Sequence, residues 1–403
     1  MCTASKPEGE HVNVRFGLTP EQETFRDEAR RFLSAEHARG SFTPLYDGWL
    51  IGWSPELSHK LAARGWIGMT WPAQYGGQGR TYLDRLVLTE EMMRAGAPVA
   101  YHWHADRQVG PAILAHGSED QKQWFLPRIS QAEVSFCIGM SEPGAGSDLA
   151  SLTTRAQWDG SGYIVNGQKT YITNAHRASF MYLVARTDPS VPKHRGLSEF
   201  IVELGLPGIT VRPLLDMAGG HDFNEVYLDN VRLPGSTLLG QRNQGWNQIV
   251  KQLDYERAGI ERLMGNYLLF GDVMAYVLKT HGKREQPVAD AVVRAKLSEL
   301  AVEMEVGRLL IYRVAWILTE GKVPTYEAAM AKTYGAEFQQ RLANTATRIL
   351  GLHGQLLPSS KHRLFHGLPA TCYLRSVMQT IGGGTSEILR NIVALRGLGL
   401  PSK

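Results

Sequence analysis

A loop whose composition could serve chemistry lies near the middle of the chain, in residues 137–148. It combines two closely spaced glycines, Gly144 and Gly146, with a proline, two serines and two acidic side chains. Because glycine has no Cβ atom, such a loop can bring backbone N–H groups close to a flat, polar ligand. Taken alone it is better interpreted as an ordinary turn, since Pro-Gly and Gly-Ser are common turn residues. A second polar and aromatic segment, residues 163–174, changes that interpretation.

Together the two segments closely resemble the flavin-binding signatures of the acyl-CoA dehydrogenase family. The resemblance implies FAD as the cofactor, with the loop along one side of the isoalloxazine ring and residues 171–173 on the other. Family members usually have tryptophan where this chain has Tyr171, which keeps an aromatic face and changes its polarity. The cofactor contacts implied by these two segments are Ile138, Met140, Ser141, Gly146, Ser147, Tyr171 and Thr173, and Ser147 is also implied to contact the substrate.

The predicted catalytic base is Glu256. Desaturation of a thioester needs a base at the α carbon and a hydride acceptor at the β carbon, which flavin N5 supplies. In many family members the base is a glutamate near the C terminus, at the position of Gly383 in this chain. A second family arrangement places it on the helix after the β domain, in a D-x-E-R sequence that residues 254–257 match. A missing carboxylate at 383 also avoids like-charge repulsion.

Further site residues follow from the resemblance. The N–H of Gly383 is implied to hydrogen-bond the thioester carbonyl and to stabilise its enolate-like charge. Asp254 and Arg257 are expected to contact CoA or to orient Glu256, and a surface ion pair is the alternative. Glu256 itself could instead be a solvated glutamate paired with an arginine. Thr385, Glu387 and Gly351 are expected near the cofactor.

The region that crosses between subunits in the family departs from the family pattern. Lys283 and Arg284 supply charge where many members use an arginine for the FAD pyrophosphate of a neighbouring subunit, but the usual Phe-Gly is absent. Arg348 stands where many members have a glutamine. These departures resemble the bacterial α2β2 branch, in which a partner chain completes the site. A homotetramer and an α2β2 heterotetramer are therefore both predicted.

Residues 101–106 contain the sequence His-x-His-x-Asp. The spacing suits metal ligands on a strand better than on the helix expected here, so no metal is predicted. By resemblance the segment lies near the far end of the acyl pocket, with His104 as a substrate contact. Aromatic and imidazole groups there favour a bulky, ring-bearing or polar acyl group. Simple helix packing explains them equally well.

Composition narrows the class of protein. The formal net charge is +4, from 43 basic and 39 acidic residues, which does not favour nucleic acid as a partner. Three widely spaced cysteines predict neither a disulfide framework nor a zinc cluster. The first residues lack a secretion signal, and no apolar run is long enough to span a bilayer. A cytoplasmic protein without membrane insertion is expected.

The elements that must position these residues predict an α+β, multidomain acyl-CoA dehydrogenase fold. The expected parts are a helical domain over residues 1–132, a small β-barrel-like domain over 133–243 and a C-terminal four-helix bundle over 244–403. Thr19-Pro and Ser54-Pro predict helix starts. Asn166-Gly167 predicts a hairpin turn after a strand from Tyr163, and residues 246–276 read as one long helical stretch.

The predicted reaction is FAD-dependent α,β-dehydrogenation of an acyl-CoA to a trans-2-enoyl-CoA, with electrons passed to an electron-transfer flavoprotein. A flavin monooxygenase or oxidase on the same fold is one alternative, although oxygenation needs no base at the α carbon. A structural subunit that stabilises an active partner is the other. Glu256 and the flavin loop favour dehydrogenation over both.

Overall fold

The first part of the molecule is helical. A computed structural model describes residues 17–256, 259–281 and 290–401, apart from the side chains of residues 251–256 and 281. A π-helical turn, Ala105–Val109, joins the fourth helix to the fifth. The helices are α1 (Pro20–Ala38), α2 (Pro55–Ala62), α3 (Tyr82–Arg94), α4 (Ala100–His104), α5 (Gly110–His116) and α6 (Glu119–Ser130).

The predicted starts of α1 and α2 are confirmed. Thr19 accepts a hydrogen bond from the backbone N–H of Gln22, whose side chain in turn accepts from the N–H of Thr19. Ser54 accepts from the N–H of Leu57 at the start of α2. In both helices proline occupies the first helical position, where it has no hydrogen bond to lose.

The central part is an eight-stranded sheet in the order β6-β7-β3-β2-β4-β5-β8, with β1 added parallel to β4. Along β4 the side chains of Tyr182 and Val184 enter the main core, whereas Met181 and Leu183 enter a smaller core on the other face. Because both faces are covered, β4 is apolar from Phe180 to Ala185 and carries a charge only at its last residue, Arg186. The strands are β1 (Phe136–Gly139), β2 (Arg155–Trp158), β3 (Gly162–Lys169), β4 (Phe180–Arg186), β5 (Leu197–Glu203), β6 (Ile209–Leu214), β7 (Phe223–Pro234) and β8 (Leu238–Leu239).

The hairpin predicted at Asn166-Gly167 is wrong. Strand β3 continues through this dipeptide, paired to β2 on one side and to β7 on the other. The register with β7 shifts between Val165 and Gly167, so the chain forms a β-bulge there and not a turn. A Cβ atom at Gly167 would lie 2.7 Å from the Cα atom of Thr154, which explains the glycine.

The last part is helical again, and this helix–sheet–helix organisation confirms the predicted fold class. Of the helices in residues 17–281 and 290–401, none combines the length and apolar character needed to cross a membrane. The domain limits at 132 and 243 stay predictions. The helices are α7 (Gly245–Glu256), α8 (Glu261–Met264), α9 (Tyr267–His281), α10 (Ala291–Thr319), α11 (Tyr326–Leu350), α12 (Leu368–Gln379) and α13 (Ser386–Ile392).

Residues 246–276 form three helices, so the prediction of one long stretch is wrong. Helix α7 ends at Glu256, and the short α8 ends before Asn266. The Asn266 side chain donates to the carbonyl oxygens of Arg262 and Leu263, at 3.0 and 2.9 Å. These bonds satisfy carbonyl groups that a continuing helix would otherwise have paired. In the short α8 that lies between the other two, Leu263 and Met264 are completely buried.

A buried carboxylate joins α3 to α10. Glu90 is 1% exposed and receives hydrogen bonds from Arg308 at 2.8 Å, Arg94 at 2.9 Å and the Tyr312 hydroxyl at 2.7 Å. Burial favours the neutral acid, but these donors, above all Arg308, outweigh it and hold the pKa of Glu90 below its ordinary value. The carboxylate is therefore ionised at neutral pH and accepts hydrogen bonds from all three side chains.

Replacing Glu90 with Gln should lower the free energy of unfolding by about 3 kcal/mol, because Arg308 and Arg94 lose their buried counter-charge. Denaturant unfolding at a fixed protein concentration measures this. Glu305→Gln is the matched control. Glu305 lies 3.8 Å from Arg308 and is 61% exposed, so that change should cost less than about 0.5 kcal/mol. Equal losses in the two variants would contradict the buried ion pair as a structural tie.

Candidate active site

A buried ion pair fixes the loop that follows β1. The Glu142 carboxylate accepts three hydrogen bonds: from the ammonium of Lys169 at 2.8 Å, from the backbone N–H of Thr153 at 2.6 Å and from the N–H of Thr154 at 2.9 Å. The same ammonium donates to the carbonyl oxygen of Met140 at 3.0 Å. Glu142 is therefore a structural acceptor, and the loop is held at its base by charge as well as by backbone bonds.

Both partners of this pair are withdrawn from water. Burial raises the pKa of Glu142, but the charge and hydrogen bond of Lys169 outweigh burial and bring it to about 2. Burial lowers the pKa of the completely buried Lys169 to about 8. Both groups are mainly ionised at neutral pH, so each stabilises the other's charge.

Above this ion pair the loop presents backbone and small polar groups. Ser147 and Gly146 are exposed and Ile138 and Ser141 are half-buried, whereas the side chain of Met140 is buried. A Cβ atom at Gly146 would meet nothing within 4 Å, and its φ angle is not positive. The backbone conformation therefore does not require glycine there. Glycine instead keeps an open surface along the loop.

The second segment holds an aromatic ring over open space. Tyr171 has a φ angle of +57° and is 66% exposed. Its neighbours are anchored: the N–H of Thr170 donates to the Ser141 carbonyl at 2.9 Å, and the Asn174 side chain donates to the Leu50 carbonyl at 2.8 Å. A non-glycine residue in this backbone region is strained by about 1 kcal/mol. Such strain persists where the surroundings impose it, which is common at ligand sites.

The C-terminal turn before α13 requires glycine. Gly383 and Gly384 have φ angles of +70° and +98°. The buried ammonium of Lys332 donates to the carbonyl oxygens of Gln379 at 2.8 Å and Gly384 at 2.7 Å. Thr385 caps α13 by accepting from the N–H of Ile388 at 3.2 Å. The turn that carries position 383 is thus held from both ends.

A hydrogen bond connects this turn to the chain that follows α7. Arg262 donates to the side-chain oxygen of Gln379 at 3.0 Å, and its guanidinium lies 5.1 Å from the centre of the Trp49 ring. Because α7 ends at Glu256, only a few residues separate the predicted base from this tie. Arg262 follows Glu256 by six residues in the chain, and Gln379 precedes Gly383 by four.

Other predicted residues are spread more widely. Glu387 is exposed in the first turn of α13, and its pKa is lowered by its own backbone N–H and by Thr385. Gly351 ends α11 with a φ angle of +58°. Arg257 and Arg284 lie outside the described residues, as do the side chains of Asp254 and Glu256.

His104 is buried on α4, which packs against β1. Burial lowers its pKa to about 4 from an ordinary value of 6.5, and the charge of Arg262 acts in the same direction. The imidazole is therefore neutral at neutral pH. Its Nδ1 atom has no hydrogen-bond partner among the described residues. This is consistent with a ligand contact and equally with simple packing in the core. In the described part of the chain no group of three or more His, Cys, Asp or Glu side chains could hold a metal.

Three sequence models of acyl-CoA dehydrogenases match almost the whole chain. They describe the N-terminal domain over residues 19–133, the middle domain over 137–231 and the C-terminal domain over 243–398. The acyl-CoA dehydrogenase FadE26 of Mycobacterium tuberculosis is 32% identical, over 96% of this chain and 99% of that protein. The chain belongs to the acyl-CoA dehydrogenase family. It is therefore a flavoprotein oxidoreductase of the class that acts on CH–CH donors with FAD.

Solved structures agree with this assignment. The Tcur3481–Tcur3483 steroid ACAD has a TM-score of 0.85 and 32% identity, covering 97% of this chain and 100% of that one. The ChsE4–ChsE5 complex of Mycobacterium tuberculosis has a TM-score of 0.82, 32% identity and the same coverage. By sequence, the mitochondrial isovaleryl-CoA dehydrogenase of Pongo abelii is 30% identical over 94% of this chain and 88% of that protein.

The residues of this acyl-CoA dehydrogenase suit a flavin. The loop after β1 offers an open backbone surface at Gly146, and Tyr171 projects an aromatic face beside it. The bond from Thr170 to the Ser141 carbonyl keeps the two segments adjacent. A flat ring with polar edges needs an aromatic wall and nearby donors, which these segments supply.

Sequence reasoning missed the buried cations that hold this site. Lys169 continues the inward alternation of Tyr163 and Val165 along β3, and a lysine at such a position signals a buried counter-ion. The Glu-Arg sequence occurs twice, at residues 256–257 and 261–262. Arg262 belongs to the second occurrence, whereas the motif match drew attention to the first. Lys332 lies in a helix rich in alanine and carries no local signal.

Glu142→Gln should release flavin and lower the thermal midpoint, because it leaves the Lys169 ammonium buried without a counter-charge, at a cost of about 3 kcal/mol. Flavin content after gel filtration and the thermal midpoint measure this. The double variant Glu142→Gln, Lys169→Met removes both charges and should recover part of the loss.

Lowering the pH should also release flavin and lower the stability of the protein. The pKa of Glu142 is about 2 in the folded protein against an ordinary 4.5, so its contribution to stability is complete above the ordinary pKa and is lost as the pH falls towards 2. Glu142→Gln should be less sensitive over that window. Unchanged flavin content and unchanged acid sensitivity would contradict this role of the ion pair.

Proposed function

We propose that this acyl-CoA dehydrogenase converts an acyl-CoA thioester to a trans-2-enoyl-CoA with Glu256 as the base. The observation that carries the proposal is the left-handed glycine turn at position 383, where many family members have their catalytic glutamate. The bond from Arg262 to Gln379 supports the proposal, because Arg262 follows Glu256 by six residues and Gln379 precedes Gly383 by four. Glu256 is the last residue of α7. Compared with those family members, the proposed catalytic carboxylate lies on α7 and not in the turn. The left-handed turn favours glycine over glutamate at that position.

In the proposed mechanism Glu256 takes the proton from the α carbon, and the Gly383 N–H hydrogen-bonds the thioester oxygen as negative charge develops there. Bound FAD supplies the hydride acceptor. Lys332 fixes the turn through the carbonyl oxygens of Gln379 and Gly384. Because these carbonyl groups are engaged on the lysine side, the N–H groups of the turn keep a constant orientation.

The remaining site residues are proposed to divide between cofactor and substrate. Asp254, Arg257 and Ser147 would contact CoA or orient the base, and His104 would contact the acyl group. Arg284 and Gly351 would meet the FAD of a neighbouring subunit. The proposed contacts within the chain's own flavin site are Ile138, Met140, Ser141, Gly146, Ser147, Tyr171, Thr173, Thr385 and Glu387.

An exposed apolar stripe on α10 supports assembly into oligomers. Val302, Val306 and Leu309 recur at helical spacing and are 65%, 41% and 51% exposed. Tyr373 and Val377 on α12 form a shorter stripe, 48% and 44% exposed. A helix face of this kind is normally covered by another helix. We propose a homotetramer or an α2β2 heterotetramer, with an electron-transfer flavoprotein as the electron acceptor.

Glu256→Gln should reduce the rate of flavin reduction by acyl-CoA roughly 10²-fold or more, because the amide keeps the size of the side chain but accepts no proton. Anaerobic bleaching of the flavin absorbance with a panel of CoA esters measures this rate. Glu23→Gln is the matched control, since Glu23 is exposed on α1, outside the proposed site, and it should keep most of the rate. Full activity of Glu256→Gln would show that another group is the base.

The purified chain should be a dimer or tetramer at every working concentration. Light scattering gives its mass, and the ratio of flavin to protein absorbance gives the cofactor per chain. A self-sufficient homotetramer should hold close to one FAD per chain. A member of an α2β2 pair should hold less, or stay poorly soluble until its partner is co-expressed. A monodisperse monomer with full flavin would contradict the interface on α10.

A further inference from the structure

Two histidine rings are stacked beside the flavin segment, which we define as residues 171–174. The rings of His176 and His221 have their centres 4.1 Å apart, and their planes are inclined by 19°. His176 follows the flavin segment by two residues, and His221 lies two residues before β7. Neither belongs to the contacts proposed above for flavin or substrate. The stack therefore joins the flavin segment to the loop before β7.

The side chain of Asn224 is the group that the two rings share. Its amide nitrogen lies 3.0 Å from the carbonyl oxygen of Ile172 and 3.0 Å from Nδ1 of His176. Its amide oxygen lies 2.9 Å from Nε2 of His221. Asn224 is completely buried, so water cannot replace a partner that is lost.

The contact with Ile172 fixes where each ring carries its proton. A carbonyl oxygen only accepts hydrogen bonds, so the atom beside it must be the amide nitrogen of Asn224 and not the amide oxygen. The same nitrogen donates to Nδ1 of His176, which is therefore unprotonated, and Nε2 of His221 donates to the Asn224 oxygen. His176 is thus held as a neutral ring with its proton on Nε2, an atom that has no hydrogen-bond partner among the described residues.

A second proton on His176 would break this arrangement. An N–H at Nδ1 would face the N–H of the Asn224 amide, and the hydrogen bond between them would be lost. Turning the amide over would give Nδ1–H an acceptor, but it would set the Asn224 oxygen against the Ile172 carbonyl oxygen. In either case the flavin segment loses one of the hydrogen bonds that hold it.

The flavin segment needs these hydrogen bonds because its backbone is strained. Tyr171 and Asn174 have φ angles of +57° and +58°. The N–H of Ile172 donates to the Asn224 carbonyl at 2.9 Å, and the N–H of Asn174 donates to the Asp222 carbonyl at 2.8 Å. Strained backbone persists only where its surroundings impose it. Loosening Asn224 should therefore expose both of these N–H groups to water.

The surroundings of His176 also favour the neutral ring. Burial lowers its pKa to about 4 from an ordinary value of 6.5, and His221 and Arg177 act in the same direction. An imidazolium at this position would therefore be poorly stabilised.

The acidic side chains of the loop before β7 do not offset this effect. Both are paired with Arg375 of α12, Asp222 at 2.6 Å and Asp216 at 3.1 Å. Their charge is compensated by that guanidinium. Among the described residues, no carboxylate forms an ion pair with His176.

We propose that Asn224, His176 and His221 form a positioning unit for the flavin segment, which holds the segment in place only while His176 is neutral. Because the pKa of His176 lies below its ordinary value, the closed segment is fully stable above about pH 6.5 and weakens as the pH falls towards 4. Most of this range lies above the range expected for Glu142. The inference rests on the proposed function, because Tyr171 and Thr173 are the proposed flavin contacts that the segment carries.

The test follows amide hydrogen exchange at the N–H groups of Ile172 and Asn174 in the full-length protein with its flavin. Mass spectrometry of peptides that cover residues 170–177 gives protection factors, in which the intrinsic pH dependence of exchange cancels. From about pH 7 to about pH 5 the protection should fall roughly tenfold, as the loss of one buried hydrogen bond allows. Constant protection over this range would overturn the proposal.

Two substitutions of His176 separate the hydrogen bond from the titration. His176→Asn places an amide oxygen where Nδ1 lies and does not titrate, so it should keep its protection at neutral pH and lose the sensitivity to acid. His176→Leu removes the acceptor and should lower the protection roughly tenfold already at neutral pH. The first variant keeps the proposal testable if the second does not fold. Unchanged acid sensitivity in His176→Asn would overturn the proposal.

His102→Asn is the matched control. His102 is also buried, its Nδ1 lies 2.9 Å from the Ser58 hydroxyl, and burial lowers its pKa to about 4, but it lies on α4 and outside the positioning unit. The control should leave the protection of Ile172 and Asn174 and its acid sensitivity unchanged. If both Asn variants remove the acid sensitivity, the response is general and the proposal is contradicted.

Flavin content in the same samples separates this inference from the proposed function. Loss of protection in acid without loss of flavin would support the positioning unit and contradict the proposed flavin contacts of Tyr171 and Thr173. Constant protection in a protein whose flavin is reduced by acyl-CoA would contradict the positioning unit alone.

Discussion

The site depends on the two buried cations that meet at Gln379. Lys332 holds the backbone of the glycine turn through the Gln379 and Gly384 carbonyl oxygens, and Arg262 holds the Gln379 side chain. One cation comes from a long bundle helix and the other from the broken helix after the predicted base. Because a buried cation without a partner costs several kcal/mol, these bonds resist rearrangement. They tie the segment that carries Arg262, and the helix that carries Lys332, to the turn at position 383, where the oxyanion donor is proposed.

The flavin side of the site uses the same physical device. The Glu142–Lys169 pair lies below the loop and leaves its upper surface to glycine, serine and backbone groups. The strained backbone of Tyr171 is held by hydrogen bonds from its neighbours to Ser141 and to Asn224. The charged pair therefore lies beneath the site, where it makes the loop rigid. The surface that faces the ligand stays nearly neutral. A planar cofactor is then bound by shape and hydrogen bonds, and not by competing ions.

Much of the fold was predictable from the sequence because its signals are local. Thr19 and Ser54 begin helices through their own side chains, so their positions needed no tertiary information. The hairpin prediction at Asn166-Gly167 is wrong because pairing with strands on both sides overrides a two-residue turn preference. The break between α8 and α9 depends on the Asn266 side chain, whose role appears only when its carbonyl partners are in place. The motif residues were found by resemblance, whereas Lys332 and Arg262 act through contacts distant in sequence and could not be predicted.

The proposed base for proton removal lies on α7 and not on the C-terminal turn. The most direct measurement is deuterium exchange at the α carbon of a 3-thia acyl-CoA, which has an acidic α proton and does not undergo hydride loss at the β position. The unaltered protein should exchange this proton, and Glu256→Gln should exchange it no faster than buffer. Adding Gly383→Glu to that variant should restore part of the exchange. Exchange at the unaltered rate in Glu256→Gln would contradict the assignment of the base to Glu256.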